Sequence, residues 1–124
     1  MTSEEFVEYI GGVFNNALSI VKAKNKDYSG DKNPFKNLML CEEAGVTSVE
    51  NGILIRMFDK MGRVSNLLNE SVGMKEVNES IEDTLTDLIN YAAILITYRN
   101  FKYSGPYNQG KRHERLGCSV SEPV

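Results

Sequence analysis

The sequence predicts an all-α fold, a small helical bundle of three long helices and one short helix, completed by dimerisation. Three observations carry this. Apolar residues recur at spacings of three and four over long stretches, the period of an amphipathic helix. No stretch of strand length alternates at period two. Capping residues precede the periodic segments, and turn residues follow them.

The first helix is expected from Ser3 to about Lys24. Ser3 is placed to cap it, and Glu4 and Glu5 suit the positive end of its dipole. Phe6, Tyr9, Ile10, Val13, Phe14, Ala17, Leu18 and Val21 form its apolar face, and Gly11-Gly12 offers a place for another helix to approach. The segment from Lys24 to Pro34 is polar and rich in turn residues, so it reads as a loop. A short helix follows from about Phe35 to Ala44, ending at Gly45.

Thr47-x-x-Glu50 has the form of a capping box and opens a third helix, Val49 to Leu68. Its expected apolar stripe is Leu54, Met57, Phe58, Met61, Val64 and Leu68, with Arg56, Asp59, Arg63 and Asn66 opposite. A connector from Glu70 to Val77 leads to a fourth helix, about Glu79 to Arg99 or Lys102. Its main apolar face is Ile81, Leu85, Leu88, Ile89, Ala92, Leu95 and Ile96. The other side carries Glu79, Asp83, Asp87, Asn90, Tyr91, Ile94 and Tyr98. Residues 1–102 form one domain on this reading, and 103–124 a polar tail or arm punctuated by Gly and Pro.

With 124 residues, 41% hydrophobic and 25% charged, the chain has the composition of one globular domain. A net charge of −3 does not favour nucleic acid or an anionic membrane. The charge is uneven: residues 1–101 hold 10 basic and 15 acidic groups, residues 102–124 hold 4 and 2. Cys41 and Cys118 lack metal-ligand spacing, so a disulfide framework or zinc site is not expected, and Cys41 reads as a small buried apolar residue. No signal peptide or membrane span is apparent, which points to a cytoplasmic protein.

The strongest chemical constellation is acidic. Glu79, Asp83 and Asp87 recur every four residues and share a helical face. Carboxylates so close repel unless a cation lies among them, and Mg²⁺ prefers oxygen ligands. Arg56, Lys60 and Arg63 supply a second cationic source, so an inter-helix network pairing Asp83 and Asp87 with Arg56 and Arg63 is equally open. A second constellation is Lys24, Lys26, Asp27, Tyr28 and Lys32 to Asn37. Its lysines suit phosphate, and Tyr28 or Phe35 suits stacking on a base, but an ordinary solvated loop has the same composition. The third, Lys111-Arg-His113-Glu-Arg115, is a short basic cluster on the tail. It holds the single histidine, which argues against a Ser/His/Asp or Cys/His arrangement in the helical domain. The usual phosphate-binding glycine loops are absent.

Four ordered strings carry a resemblance: Lys24-Asn-Lys-Asp-Tyr28, Asn33-Pro-Phe-Lys-Asn37, Arg56-Met-Phe-Asp-Lys-Met-Gly-Arg63, and Glu79-Ser-Ile-Glu-Asp-Thr-Leu-Thr-Asp-Leu-Ile-Asn-Tyr91. Over roughly residues 5–100 the chain resembles the small phage and bacterial proteins called nucleotide-modification-associated domain 1, which implies a viral or prophage origin and a host-cytoplasmic location. More distantly it resembles the all-α nucleoside triphosphate pyrophosphohydrolases of the MazG and dimeric dUTPase type, which hold Mg²⁺ with ExxE on one helix and ExxD on a later one. This sequence departs from that pattern. Arg56-x-x-Asp59 stands where ExxE is expected, and Glu79-x-x-Glu82 with Asp83-x-x-x-Asp87 replaces ExxD. Glu42 and Glu43 are further acids nearby.

Two functions follow as expectations. In a Mg²⁺-dependent nucleotide pyrophosphohydrolase, Glu79, Asp83 and Asp87 hold the metal, and Asp59, Asp83 and Asp87 are the catalytic carboxylates. Lys24, Lys26, Asp27, Tyr28, Phe35, Asn37, Arg56, Lys60, Arg63 and Tyr91 then bind substrate. In a non-enzymatic protein, the same basic and aromatic groups sequester a nucleotide or nucleotide-derived signal intact. A helical interaction module, with the charges serving only helix pairing, is the third reading. The two-sided fourth helix and small domain favour a homo-oligomer.

Overall fold

The computed structural model describes residues 1–28, 33–70 and 74–104. Among them are four helices and no strand: α1 (Ser3–Tyr28), α2 (Lys36–Glu43), α3 (Val49–Leu68) and α4 (Lys75–Tyr103). No helix among the described residues is long and apolar enough to cross a membrane. The described part of the expected tail is only Tyr103 and Ser104, of which Tyr103 ends α4; residues 105–124 lie outside the described residues.

A reciprocal capping box starts α1, one residue before the expected cap. Glu5 N donates to Thr2 Oγ1 at 3.0–3.1 Å while Thr2 N donates to the Glu5 carboxylate. The helix continues four residues past Lys24, with Lys26 in the last turn facing the negative end of the dipole. Asn33 Oδ1 accepts from Phe35 N and turns the chain into α2. A Schellman motif ends α2 at Gly45, whose φ of +77° is the left-handed conformation glycine adopts without a Cβ clash. Val46 N donates to Cys41 O, and Gly45 N to Glu42 O.

The start of α3 corrects the expected capping box. Ser48, not Thr47, is the N-cap, and its side chain accepts from Asn51 N at 3.0 Å. This frees Glu50, which reaches across to the far end of α4. It accepts hydrogen bonds from Arg99, from Lys102 at 3.2 Å and from the Tyr103 hydroxyl at 3.3 Å. Opposite-end pairings such as these, with Lys60 to Asp87 nearer the turn, make α3 and α4 an antiparallel pair. The fourth helix also begins four residues earlier than expected, at Lys75.

Phe35, Val49, Ile53 and Tyr98 form the buried core, with Leu38, Met39, Met57, Tyr91, Ile94 and Leu95 packed against it. Phe35 meets Tyr98 edge-on at 5.4 Å between ring centroids and Phe101 at 5.2 Å, an arrangement suited to the ring quadrupoles. The core face of α4 therefore differs from the expected one: Tyr91, Ile94 and Tyr98 point inward, while Leu85 and Ile96 are exposed. On α3 the inward face is Val49, Ile53 and Met57, while Leu54, Phe58, Met61 and Leu68 of the expected stripe are exposed. The hydropathy period locates apolar sides of a helix. It does not say which of two such sides meets the neighbouring helix.

Close approach of α2 and α3 depends on Gly52. A Cβ there would lie 2.8 Å from Cys41 Sγ, too near for an undisturbed contact. Cys41 is half-buried rather than buried, its Sγ lying against the Leu38 and Ser48 carbonyls. The expected approach at Gly11-Gly12 is not made among the described residues, where nothing lies within 4 Å of a Cβ at either position. The α1 helix runs antiparallel to α4 and is held at its second half. There Ala17 is buried, Asn90 Nδ2 donates to Ala17 O at 3.1 Å, and Lys24 approaches Asp87.

Burial raises the pKa of Glu50, but hydrogen bonds from Lys102 and Arg99 outweigh it, and the carboxyl titrates below its ordinary range. A lowered folded-state pKa stabilises the fold above the unfolded-state value, and that contribution disappears as pH falls through the folded-state value. Glu50→Gln is therefore expected to lower Tm at neutral pH, and the difference from the parent should close in acid below the ordinary glutamate range. Melts at both pH values check this, and a constant difference across the range would contradict it.

Candidate functional site

Three of the acids of α4, Glu79, Asp83 and Asp87, share a helical stripe but have different surroundings. Asp87 is partly covered and lies between two lysines, Lys60 Nζ at 3.0 Å and Lys24 Nζ at 3.8 Å. Its charge joins α1, α3 and α4 where they converge. Glu79 is exposed and pairs with Lys75 one turn earlier at 3.9 Å. Asp83 is exposed and makes no ion pair among the described residues. Among those residues, no group of three or more His, Cys, Asp or Glu side chains is placed to hold a metal ion. Among the described residues the three carboxylates do not converge on one point, and the partly sheltered one, Asp87, already faces two ammonium groups.

The expected partners of those acids are also redistributed. Lys60, not Arg56 or Arg63, crosses to Asp87, because it lies on the side of α3 that faces α4. Arg56, Asp59 and Arg63 are exposed and form no ion pair among the described residues. Phe35 is a core ring, and Tyr91 packs against the same core. Asn37 is exposed in the first turn of α2, and Lys26 is exposed at the end of α1. Asp27 and Tyr28 complete α1, but their side chains lie outside the described residues, as do Lys32 and the basic cluster Lys111 to Arg115.

What the structure does bring together is a groove along the solvent side of α3. It is an open groove of about 550 Å³ lined by Phe58, Asp59, Gly62, Arg63, Asn66, Leu67 and Glu70. The 3.6-residue period sets these positions beside one another over three turns. Gly62 leaves its floor open, since nothing lies within 4 Å of where a Cβ would stand. Phe58 is 62% exposed and offers a ring face at the rim. Arg63 supplies a charged fork that no carboxylate holds among the described residues, Asn66 supplies donor and acceptor atoms, and Asp59 and Glu70 supply acceptors.

Of these residues, Asp59 and Arg63 were expected at a site from sequence. Asn66 was visible on the same polar stripe. Phe58 was missed because its spacing fitted an apolar core stripe, and only its exposure reveals another use. No family model, curated protein or solved structure matches the chain in comparison with known proteins.

Proposed function

We infer that this protein binds a nucleotide, or a small molecule derived from one, in the groove on α3 and holds it without cleaving it. The observation that carries this is one open groove lined by both the exposed Phe58 ring and the Arg63 guanidinium, which forms no ion pair among the described residues. A planar base stacks on an aromatic face, and a guanidinium grips phosphate through paired charge-assisted hydrogen bonds. Asn66 and Asp59 are placed to contact base or sugar edges between them. Resemblance of the four sequence strings to nucleotide-modification-associated proteins of phages supports the same ligand class and a role in the cytoplasm of an infected host. The commitment of Asp87 to Lys60 and Lys24 favours binding over Mg²⁺-dependent hydrolysis.

A nucleotide panel tests this, read by thermal shift and ³¹P NMR with and without Mg²⁺. The expected result is stabilisation by at least one nucleotide, about 2.7 kcal/mol at a hundredfold excess over Kd, with the ligand recovered intact. Mg²⁺-dependent release of phosphate or pyrophosphate would establish the hydrolase instead. No response to any nucleotide would remove both.

A further inference from the structure

Two bare apolar stripes run along this molecule, and their properties match one another. On α1, Phe6, Ile10 and Phe14 continue the face that meets α4 at Ala17, yet they are 57%, 40% and 57% exposed. On α3, Leu54, Phe58, Met61 and Leu68 are 41–62% exposed. With Ser65 they follow a strict four-three-four-three spacing, that of a coiled-coil seam. At 1.5 Å per residue the α1 stripe is about 12 Å long and the α3 stripe about 20 Å, so the first fits within the second.

We propose that a second copy of this chain covers both stripes at once, the first half of α1 in each protomer lying on the α3 seam of the other. Charge selects this pairing over like on like. Residues 3–16 carry Glu4, Glu5 and Glu8 and no basic group, whereas residues 54–68 carry Arg56 and Arg63 against Asp59, with Lys60 held by Asp87. Opposite net charges on helices in contact attract within a Debye length of about 10 Å, and identical ones repel. Shape agrees, since Ser65 is the small residue of the α3 seam and leaves room there for an α1 aromatic ring.

Area supports a two-fold exchange. A helix stripe alone is small, but together the two expose about 750 Å² per chain at about 200 Å² per fully exposed large side chain. That comes close to the roughly 800 Å² per partner of a standard stable interface. A two-fold contact is self-complementary by symmetry, so a chain carrying both halves of the pairing needs no other partner. Phe58 lies on the edge of this seam that borders the groove, so on this proposal the second copy packs against one side of its ring and the other side remains for the ligand.

Light scattering on the full chain tests the proposal. The parent is expected at twice 13.9 kDa. Phe6→Glu with Phe14→Glu, and separately Leu54→Glu with Met61→Glu, are each expected to return it to a single chain, raising the dissociation constant about 100-fold or more. Circular dichroism confirms that helicity persists, since all four side chains are exposed in the single chain. A dimer that survives the α1 pair would indicate seam-on-seam contact, and one that survives the α3 pair would indicate arm-on-arm contact. Either overturns the exchange, as does a parent of 13.9 kDa. Contacts between differently isotope-labelled protomers in the parent supply a second check that needs no substitution. Cross-peaks are expected between α1 aromatics and α3 methyls, and their absence in a dimer overturns the proposal. Nucleotide is not required for any of these readings, so they are independent of the ligand test.

Discussion

Ile53→Ala is expected to lower the melting temperature by about 10–15 °C at fixed protein concentration, more than any surface substitution in this chain. Ile53 is 1% exposed and belongs to the cluster that joins α3 to Phe35 and Tyr98. Removing three carbons there loses their transfer free energy and leaves a void that rigid neighbours fill poorly. The cost of such truncations is about 2–5 kcal/mol, and each kcal/mol moves the midpoint of a domain this size by about 4 °C. The neighbours make the higher part of that range unnecessary, because Met57 is flexible enough to lean into part of the space. Differential scanning calorimetry checks the prediction. A shift under 3 °C would mean that the helices are held together elsewhere.

Arg63→Ala is expected to weaken nucleotide binding by about 10–100-fold, the loss of a charge-assisted contact worth about 1.5–3 kcal/mol. The side chain is exposed and has no ion-pair partner among the described residues, so the fold should be indifferent to its removal. Arg63→Lys keeps the charge but loses the planar fork, and an intermediate affinity is expected. Asp83→Ala provides the contrast. It is exposed, lies on α4 and does not line the groove, so binding should be unchanged. Isothermal titration of the three variants separates the groove from the acidic stripe. Equal loss in Arg63→Ala and Asp83→Ala would favour a site built on α4 instead.

The helices themselves were legible because each has local causes. The α3 limits follow from a polar cap ahead of a periodic segment, and α2 ends where Gly45 takes a positive φ. Tertiary choices were less legible. Thr47 and Ser48 are both plausible caps by type, and the selection of Ser48 is tied to Glu50, which makes three contacts with residues about fifty positions away. Helices α1, α3 and α4 each carry more apolar surface than one neighbour can cover. The period therefore could not tell Tyr91 and Tyr98, which pack inward, from Leu85 and Ile96, which do not.

The candidate site was legible by residue type and not by grouping. Four-residue spacing correctly aligns Glu79, Asp83 and Asp87, but alignment on a helix does not make three carboxylates converge. Lysines arriving from α1 and α3 decide the state of Asp87, and their arrival depends on packing. Phe58 shows the converse. By spacing it belongs in a core, while in the fold it stands at the rim of a groove with Asp59 and Arg63.

The central claim is that the α3 groove is where a nucleotide binds. Its most direct test is a titration of the ¹⁵N-labelled chain with the nucleotide that stabilises it best, followed by amide chemical shifts. The account predicts that the largest changes cluster at Phe58, Asp59, Gly62, Arg63 and Asn66 and saturate together. Changes centred on Glu79 to Asp87, with the α3 groove unmoved, would contradict it.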